Sequence, residues 1–441
     1  MEQRKKNLTQ LFIPICLETL LYMLSGMVDT LMLSSVNDQA VGAVGTANTY
    51  IGIFIIMFSV ISSGMVAVMT QNIGAGRPGV AYQARQLGLA FNAVLGIIVS
   101  LILAFGAGAI LAGVGVADAL MQPAKTYLQI VGGFCILNAL IPICSSYLRA
   151  FGFSKEPLYA SIIGNVINFC LNAFFLFVLH KGVAGVATAT VISRIINLVI
   201  VVTLGAVLVK AKQHPERERN REVMGQIIRI GLPSACETAI YNVSMTLVIR
   251  FLNQMDAQGL NVTARSYTMQ ITNFSYCVGA ALAQANAIMT GWRIGAKEYD
   301  ACDRGTRKAA VIGVIVAVIL ETMFALCSGW IMQLFSKDPQ MVSLVGKLLA
   351  IDIVLEMGRV TNLVYGQALK TSGDAVFPVV MGACFMILCS VGGTYLFGIR
   401  LGLLAVGAYI GMAGDECVRA VGMYLRWKSG KWKEKGLVKS R

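Results

Sequence analysis

Long apolar runs alternate with short polar connections along almost the whole chain. A helix needs about 20 apolar residues to cross the hydrocarbon core of a bilayer, and twelve runs of that kind can be placed. They cover residues 8–33, 41–70, 87–114, 124–148, 157–180, 183–209, 226–252, 262–290, 307–335, 341–369, 376–398 and 401–427. The pattern therefore predicts an all-α integral membrane protein with twelve transmembrane helices.

The two halves of the chain repeat one another. Pro14-x-x-x-Glu18-Thr19 returns 219 residues later as Pro233-x-x-x-Glu237-Thr238. "MTQNIGAG" at 69–76 is answered by "MTGWRIGAK" at 289–297, and "YLRAFGFSKEP" at 147–157 by "ALKTSGDAVFP" at 368–378. Each half holds six spans, an even number, so both copies have the same orientation in the membrane. We expect two parallel six-helix repeats around a central cleft.

One long polar segment, "KAKQHPERERNRE" at 210–222, separates the halves. We predict an N-lobe at residues 1–209, a basic cytoplasmic linker at 210–225 and a C-lobe at 226–441 that ends in a basic tail. Most Lys and Arg residues lie in the even-numbered connections and the two tails. Because cytoplasmic loops are enriched in these residues, the pattern predicts a multi-pass protein of the cytoplasmic (inner) membrane with both termini inside.

Composition narrows the class of protein further. The chain is 56% hydrophobic and 13% charged, whereas soluble domains average about 25% charged residues. The formal charge of +14 is explained by basic residues that flank spans, so we expect no nucleic-acid partner. The eleven Cys are scattered without a C-x-x-C pair, and two His cannot form a metal cluster. Without a G-K-[ST] phosphate loop, we expect no ATP-driven step, no enzymatic activity and no cofactor.

Two acidic residues, Glu18 and Glu237, lie at equivalent depths in the first and seventh predicted spans. A carboxylate at the bilayer centre costs about 2.5–3.5 kcal/mol on insertion scales, so it requires a partner, a proton or water. One interpretation is that both line a wet cavity, where a proton or Na+ and a cationic solute compete for them. The other is structural: a neutral Glu hydrogen-bonded to a neighbouring helix.

Further polar residues in the spans allow the same two interpretations. Asp352, Glu356 and Arg359 share one face of the tenth span, and Arg359 could simply neutralise Glu356. Asp29 lies near the outer end of the first span. The remaining candidates are Asn168 and Asn172 in the fifth span, which could instead link helices, and Tyr241 in the seventh. Asp415 and Arg419 are predicted to form an ion pair within the twelfth span.

The chain resembles the MATE family, the multidrug and toxic compound extrusion transporters. The resemblance rests on the twelve spans in two repeats, on "GMVDTLMLSSV" (26–36), on "LRAFGFSKEP" (148–157) and on the Gln/Gly/basic turn after the second span. It implies that Asp29 matches the first-span acidic residue of the family. Asn172 stands where one subgroup has an acidic residue, and Glu237 and Glu356 are the counterparts nearest to coupling acids in other members.

The resemblance implies an antiporter that exports organic cations by alternating access, coupled to H+ or Na+. We expect a monomer whose partners are small organic cations and the lipid bilayer. The alternative is a flippase for lipid-linked oligosaccharides, which would require a cationic cavity. Glu18, Glu237, Asp352 and Glu356 outnumber Arg194 and Arg359 in the predicted deep positions, and this balance favours the organic cation.

Overall fold

The computed structural model describes residues 6–34, 38–113, 116, 118–210, 214–256, 258–333 and 335–438. Within these ranges the secondary structure is helical and contains no strand. Residues 35 and 36 of the first-span motif, residues 211–213 of the predicted linker and the last residues of the basic tail lie outside the described part.

The helices follow one another with short connections and are numbered in chain order. They are α1 Leu8–Ser34, α2 Asp38–Gly74, α3 Pro78–Gly113, α4 Asp118–Tyr127, α5 Ile136–Ala150, α6 Lys155–Ala173, α7 Gly182–Leu208, α8 Asn220–Met255, α9 Leu260–Gly295, α10 Tyr299–Leu326, α11 Ser328–Met332, α12 Pro339–Ser372, α13 Val376–Phe385 and α14 Leu404–Lys428. Four π-helical stretches extend α4, α6 and α13: Leu128–Gly132, Phe174–Val178, Met386–Val391 and Thr394–Arg400.

The predicted twelve membrane segments are confirmed as helical segments of the fold. The fourth combines α4, a π-helical stretch and α5, and the ninth combines α10 and α11. In the part of the chain that the structure describes, seven helical segments are long and apolar enough to cross a membrane by length and composition, and the bent fourth segment makes eight. The other four, α8, α9, α12 and α14, are more polar. Large side chains such as Phe105 and Leu326 are exposed, as expected of lipid-facing positions.

The fourth segment bends by 44° between Leu120–Gly132 and Ile136–Ala150. The Ile136 backbone N–H donates to the Ser100 hydroxyl of α3 at 3.0 Å. A side chain from a neighbouring helix thus accepts from a backbone donor at the break, which is one of the recognised causes of a sharp kink.

The chain divides into two compact units, residues 1–232 and 233–441. The division falls inside α8, which begins at Asn220, so the last residues of the predicted linker are helical. In unit 1, the first turns of α8 pack closely on α2. A Cβ added at Gly231 would collide with the Val60 carbonyl, and one added at Gly64 with the Ile227 carbonyl. Glycine is therefore required where these two backbones meet.

The basic tail is fixed to unit 2 through Asp374, two residues after the end of α12. Its carboxylate accepts from Arg426 Nε at 2.7 Å and pairs with Lys435 Nζ at 2.7 Å. Burial alone would raise the pKa of Asp374, but the hydrogen bonds and charges of Arg426 and Lys435 outweigh it and hold that pKa below its ordinary value of 3.8. The carboxylate is therefore charged at neutral pH.

Candidate functional site

Glu18 of α1 is paired with a basic residue of its own repeat. Arg149 Nη2 lies 2.6 Å from Glu18 Oε2, and the side chains are only 12% and 15% exposed. The Ser161 hydroxyl of α6 donates to Glu18 Oε1 at 3.4 Å. Arg149 belongs to the last turn of α5. Since helical side chains lean towards the N-terminus of their helix, Arg149 reaches back from the helix end to meet Glu18.

Glu237 of α8 forms the equivalent pair in unit 2. Lys370 Nζ, from the last turn of α12, lies 2.5 Å from Glu237 Oε2. Lys370 follows Arg149 by 221 residues and Glu237 follows Glu18 by 219, so both members of the pair recur in the repeat. A Cβ at Gly382 would stand 3.3 Å from Glu237 Cγ, which shows how closely α13 packs on this carboxylate.

Asp29, a second carboxylate of α1, is hydrogen-bonded to Asn172 of α6. Asn172 Nδ2 donates to Asp29 Oδ1 at 2.7 Å and to Asn168 Oδ1 at 3.2 Å. Asn168 Nδ2 donates in turn to the Ser193 hydroxyl of α7 at 3.5 Å. The two amides thus connect α6 to α1 and to α7.

Unit 2 contains a larger charged cluster, which starts from Arg359 of α12. Its Nη1 atom lies 2.8 Å from Glu356 Oε2, and its Nε atom lies 3.5 Å from Glu416 Oε1 of α14. Arg419 bonds Glu416 at 2.9 Å and Asp415 at 2.9 Å, so the predicted pair within the twelfth span is present. Glu356 is fully buried.

Two further buried carboxyls adjoin this cluster, Asp352 of α12 and Glu321 of α10. Both lie within electrostatic range of Arg359. Asp352 Oδ2 and both carboxyl oxygens of Glu321 are buried and accept no hydrogen bond that meets normal geometry from the described residues. Within the described ranges, five carboxyls therefore surround the guanidinium groups of Arg359 and Arg419, namely Asp352, Glu356, Asp415, Glu416 and Glu321.

A cavity of about 400 Å³ opens beside this cluster, within unit 2. Its walls carry Tyr241, Tyr276 and Tyr409 and several methionines. The acidic residues of the wall are Glu237, Asp352 and Glu416, and the basic residues are Arg265, Arg359, Lys370 and Arg419. Of the residues selected from sequence, the cavity brings together Glu237, Tyr241, Asp352 and Arg359, while Glu356 pairs with the wall residue Arg359.

Sequence reasoning missed part of this wall. The position of Arg265 inside the predicted eighth span could have marked it as a candidate site residue. However, an arginine three residues from the end of a span usually lies at the membrane interface. Here it is 5% exposed. Glu416 was not selected from the sequence, because its neighbour Asp415 was taken as the ion-pair partner of Arg419. With Arg265, Lys370 and Arg419 in place, bases outnumber acids in the cavity wall, unlike the balance counted from sequence.

The sequence model of the MatE family matches residues 14–174 and 233–396, once in each repeat and starting at Pro14 and Pro233. The chain belongs to the MatE family. It is 34% identical to the Bacillus subtilis (strain 168) protein named "Uncharacterized transporter YisQ" over 96% of this chain and 94% of that protein.

Other MatE comparisons agree. The chain is 23% identical to a Thermotoga maritima protein named "Probable multidrug resistance protein NorM", over 98% of this chain and 94% of that one. The fold is similar to a solved structure titled "Crystal structure of MATE in the straight conformation", with a TM-score of 0.87 at 19% identity, over 97% and 96% of the two chains. The chain is thus a multi-pass membrane protein of a transporter family.

Proposed function

We propose that this MatE protein exports small organic solutes, organic cations among them, in exchange for H+ or Na+ and by alternating access. The T. maritima relative carries a multidrug-resistance name. The observation that carries the proposal is the excess of carboxyls over guanidinium groups around Arg359 and Arg419 in unit 2. Buried charges require compensation, so such a cluster favours an additional proton or cation, beside a cavity of suitable size for a small solute.

The coupling carboxyls of this proposal are Asp352 and Glu356, and Glu237 lines the same cavity as Asp352. Asp29 is the corresponding candidate in unit 1. Because its hydrogen-bond partner Asn172 is an amide, Asp29 faces no second carboxyl at this position. Glu18 forms an ion pair with Arg149. This contact supports a structural role for Glu18, in which it positions α1 against α5, in addition to any role in coupling.

The test is transport in proteoliposomes. Export of ethidium should accelerate under an imposed H+ gradient or, at equal pH, under an imposed Na+ gradient, and the effective gradient identifies the ion. Glu356→Gln and Asp352→Asn should abolish the response to the gradient. Asp300→Asn, at an exposed position of α10, is the matched control and should behave as the wild type. Gradient-driven export that persists in both variants would contradict this assignment and move the coupling site to Asp29.

A flippase of lipid-linked oligosaccharides is the second candidate, and the four basic residues of the cavity wall favour it. The discriminating substrate is a fluorescent polyprenyl pyrophosphate in the same vesicles. Its translocation, without ethidium export, would select the flippase.

For topology, we place both termini in the cytoplasm, because the linker and tail are basic, and we expect a monomer. A fluorescent protein fused after Arg441 should fold and emit in the cytoplasm, whereas a periplasmic phosphatase fused there should be inactive. Light scattering of the purified protein in detergent measures the oligomeric state.

A further inference from the structure

Arg265 is an unusual residue in the wall of the unit 2 cavity. It lies in the second turn of α9 and is 5% exposed. Its hydrogen bond is a weak one, from Nη2 to the Met245 sulfur at 3.8 Å, and its Nε atom is buried without a partner among the described residues. A guanidinium carries five N–H donors and a fixed charge, and burying it without an acceptor is costly.

The other three bases of the wall are matched to carboxylates. Lys370 pairs with Glu237, Arg359 with Glu356, and Arg419 with Asp415. Arg265 forms no ion pair within the described part of the chain. Among the described residues, Arg265 is therefore the base of this wall that no carboxylate contacts directly.

Asp352 is an acidic residue of the same wall that, like Arg265, has no ion-pair partner among the described residues. It is 2% exposed and lines the same cavity, its Oδ2 atom is buried without a hydrogen-bond partner, and it forms no ion pair with the described residues. Both Arg265 and Asp352 act electrostatically on Tyr409, which stands in the wall near them. They do not pair with each other. Among the described residues, the cavity thus presents a cation without an ion-pair partner and a carboxyl without an ion-pair partner, and tyrosine and methionine side chains line the same wall.

We propose that Arg265 binds an anionic group of the transported solute, a carboxylate in the simplest case, and that this cavity takes amphipathic zwitterions. Arg265 offers paired N–H donors, which match the two oxygens of a carboxylate. Asp352 faces the cationic part of the same solute, and the tyrosine rings contact its apolar body. This inference rests on the proposed export function and adds zwitterions, as the preferred solutes of this cavity, to the organic cations of that proposal.

Two rhodamine dyes give a matched pair of probes. Rhodamine 110 carries a free carboxylate and is a zwitterion, while rhodamine 123 is its methyl ester and a cation of nearly the same shape. Binding to the full-length protein in detergent is measured by fluorescence anisotropy. Wild type should bind rhodamine 110 more tightly than rhodamine 123, and this comparison requires no variant.

Arg265→Gln should weaken the binding of rhodamine 110 by about 10- to 100-fold, the factor expected for losing charged hydrogen bonds. The binding of rhodamine 123 should be nearly unchanged. Arg265→Lys should retain part of the preference. Arg307→Gln, at a side chain 62% exposed on α10, is the control. Thermal unfolding of each variant reports whether it is folded.

The inference would be overturned if the wild type bound rhodamine 123 more tightly, or if Arg265→Gln weakened the binding of both dyes equally. Ethidium export under an ion gradient is measured separately and decides the proposed function. A protein that exports ethidium yet shows no preference for the carboxylate dye would overturn the zwitterion site alone. A wild type that neither binds the dyes nor exports ethidium would refute both.

Discussion

Removing the carboxylate of the Glu237–Lys370 pair separates a structural role of Glu237 from a role in coupling. Both side chains are more than four-fifths buried, at 15% and 13% exposed. Breaking a buried pair by removing one partner costs about 3–5 kcal/mol, and we take about 3 kcal/mol here because some exposure remains. In a unit of this size, 1 kcal/mol shifts the midpoint of thermal unfolding by about 2–4 °C. Glu237→Gln should therefore lower it by about 6–12 °C.

Intrinsic tryptophan fluorescence is the appropriate assay for this change. All four Trp residues of the chain lie in unit 2, at positions 292, 330, 427 and 432, so the signal reports the unit that contains the pair. The double variant Glu237→Gln/Lys370→Gln removes both charges and should recover most of the lost stability, because no buried charge is left alone. Asp300→Asn serves as the control for removing an exposed carboxylate.

Transport by the double variant then decides the role of Glu237. If export recovers together with stability, the pair is structural. If stability recovers and gradient-driven export does not, Glu237 also carries the coupling ion. A midpoint unchanged in the single variant, or a double variant as unstable as Glu237→Gln, would refute the reasoning from the buried pair itself.

Three further outcomes are expected from thermal unfolding. Gly231→Ala should destabilise unit 1 by collision with α2, whereas Gly225→Ala, in the same helix with open space around it, should not. Asp374→Asn should lower the midpoint at pH 7 by roughly 5 °C. Because the pKa of Asp374 is depressed, its contribution is complete above pH 3.8 and is lost as the pH falls through the folded-state value, so the difference should shrink in acid. Asn172→Asp sets a second carboxyl against Asp29 and should destabilise more at pH 8 than at pH 5, since an ionised pair repels.

Much of the fold was predictable because the bilayer imposes strict requirements on a chain. A span must be long, apolar and helical, so apolar runs located the helices. The polar first turns were missed: α3 begins at Pro78 and α10 at Tyr299, before the predicted starts at residues 87 and 307. The breaks were not predictable. At the kink before Ile136, the backbone N–H donates to the hydroxyl of Ser100 in another helix. The sequence around Ile136 does not predict such a contact.

The candidate site was predictable only as a set of residues, and its pairings were not. Glu18 and Arg149 are far apart in sequence, and nothing local says that one neutralises the other. A signal nevertheless existed, since the repeat preserved both members together, as Glu237 and Lys370. Arg265 escaped notice because its burial depends on how α9 packs within unit 2 and not on its own sequence neighbourhood.

Comparison of the two repeats indicates which charged groups the architecture itself requires. The Glu–base pair occurs in both units, so it belongs to the shared framework. The cluster residues Asp352, Glu356 and Arg359 do not recur: 221 residues earlier stand Val131, Cys135 and Asn138. Val131 and Cys135 are nevertheless buried, so unit 1 builds the same membrane segment without these charges. Since apolar replacements of buried ion clusters are often neutral or stabilising, we infer that unit 2 keeps its cluster for function and not for folding.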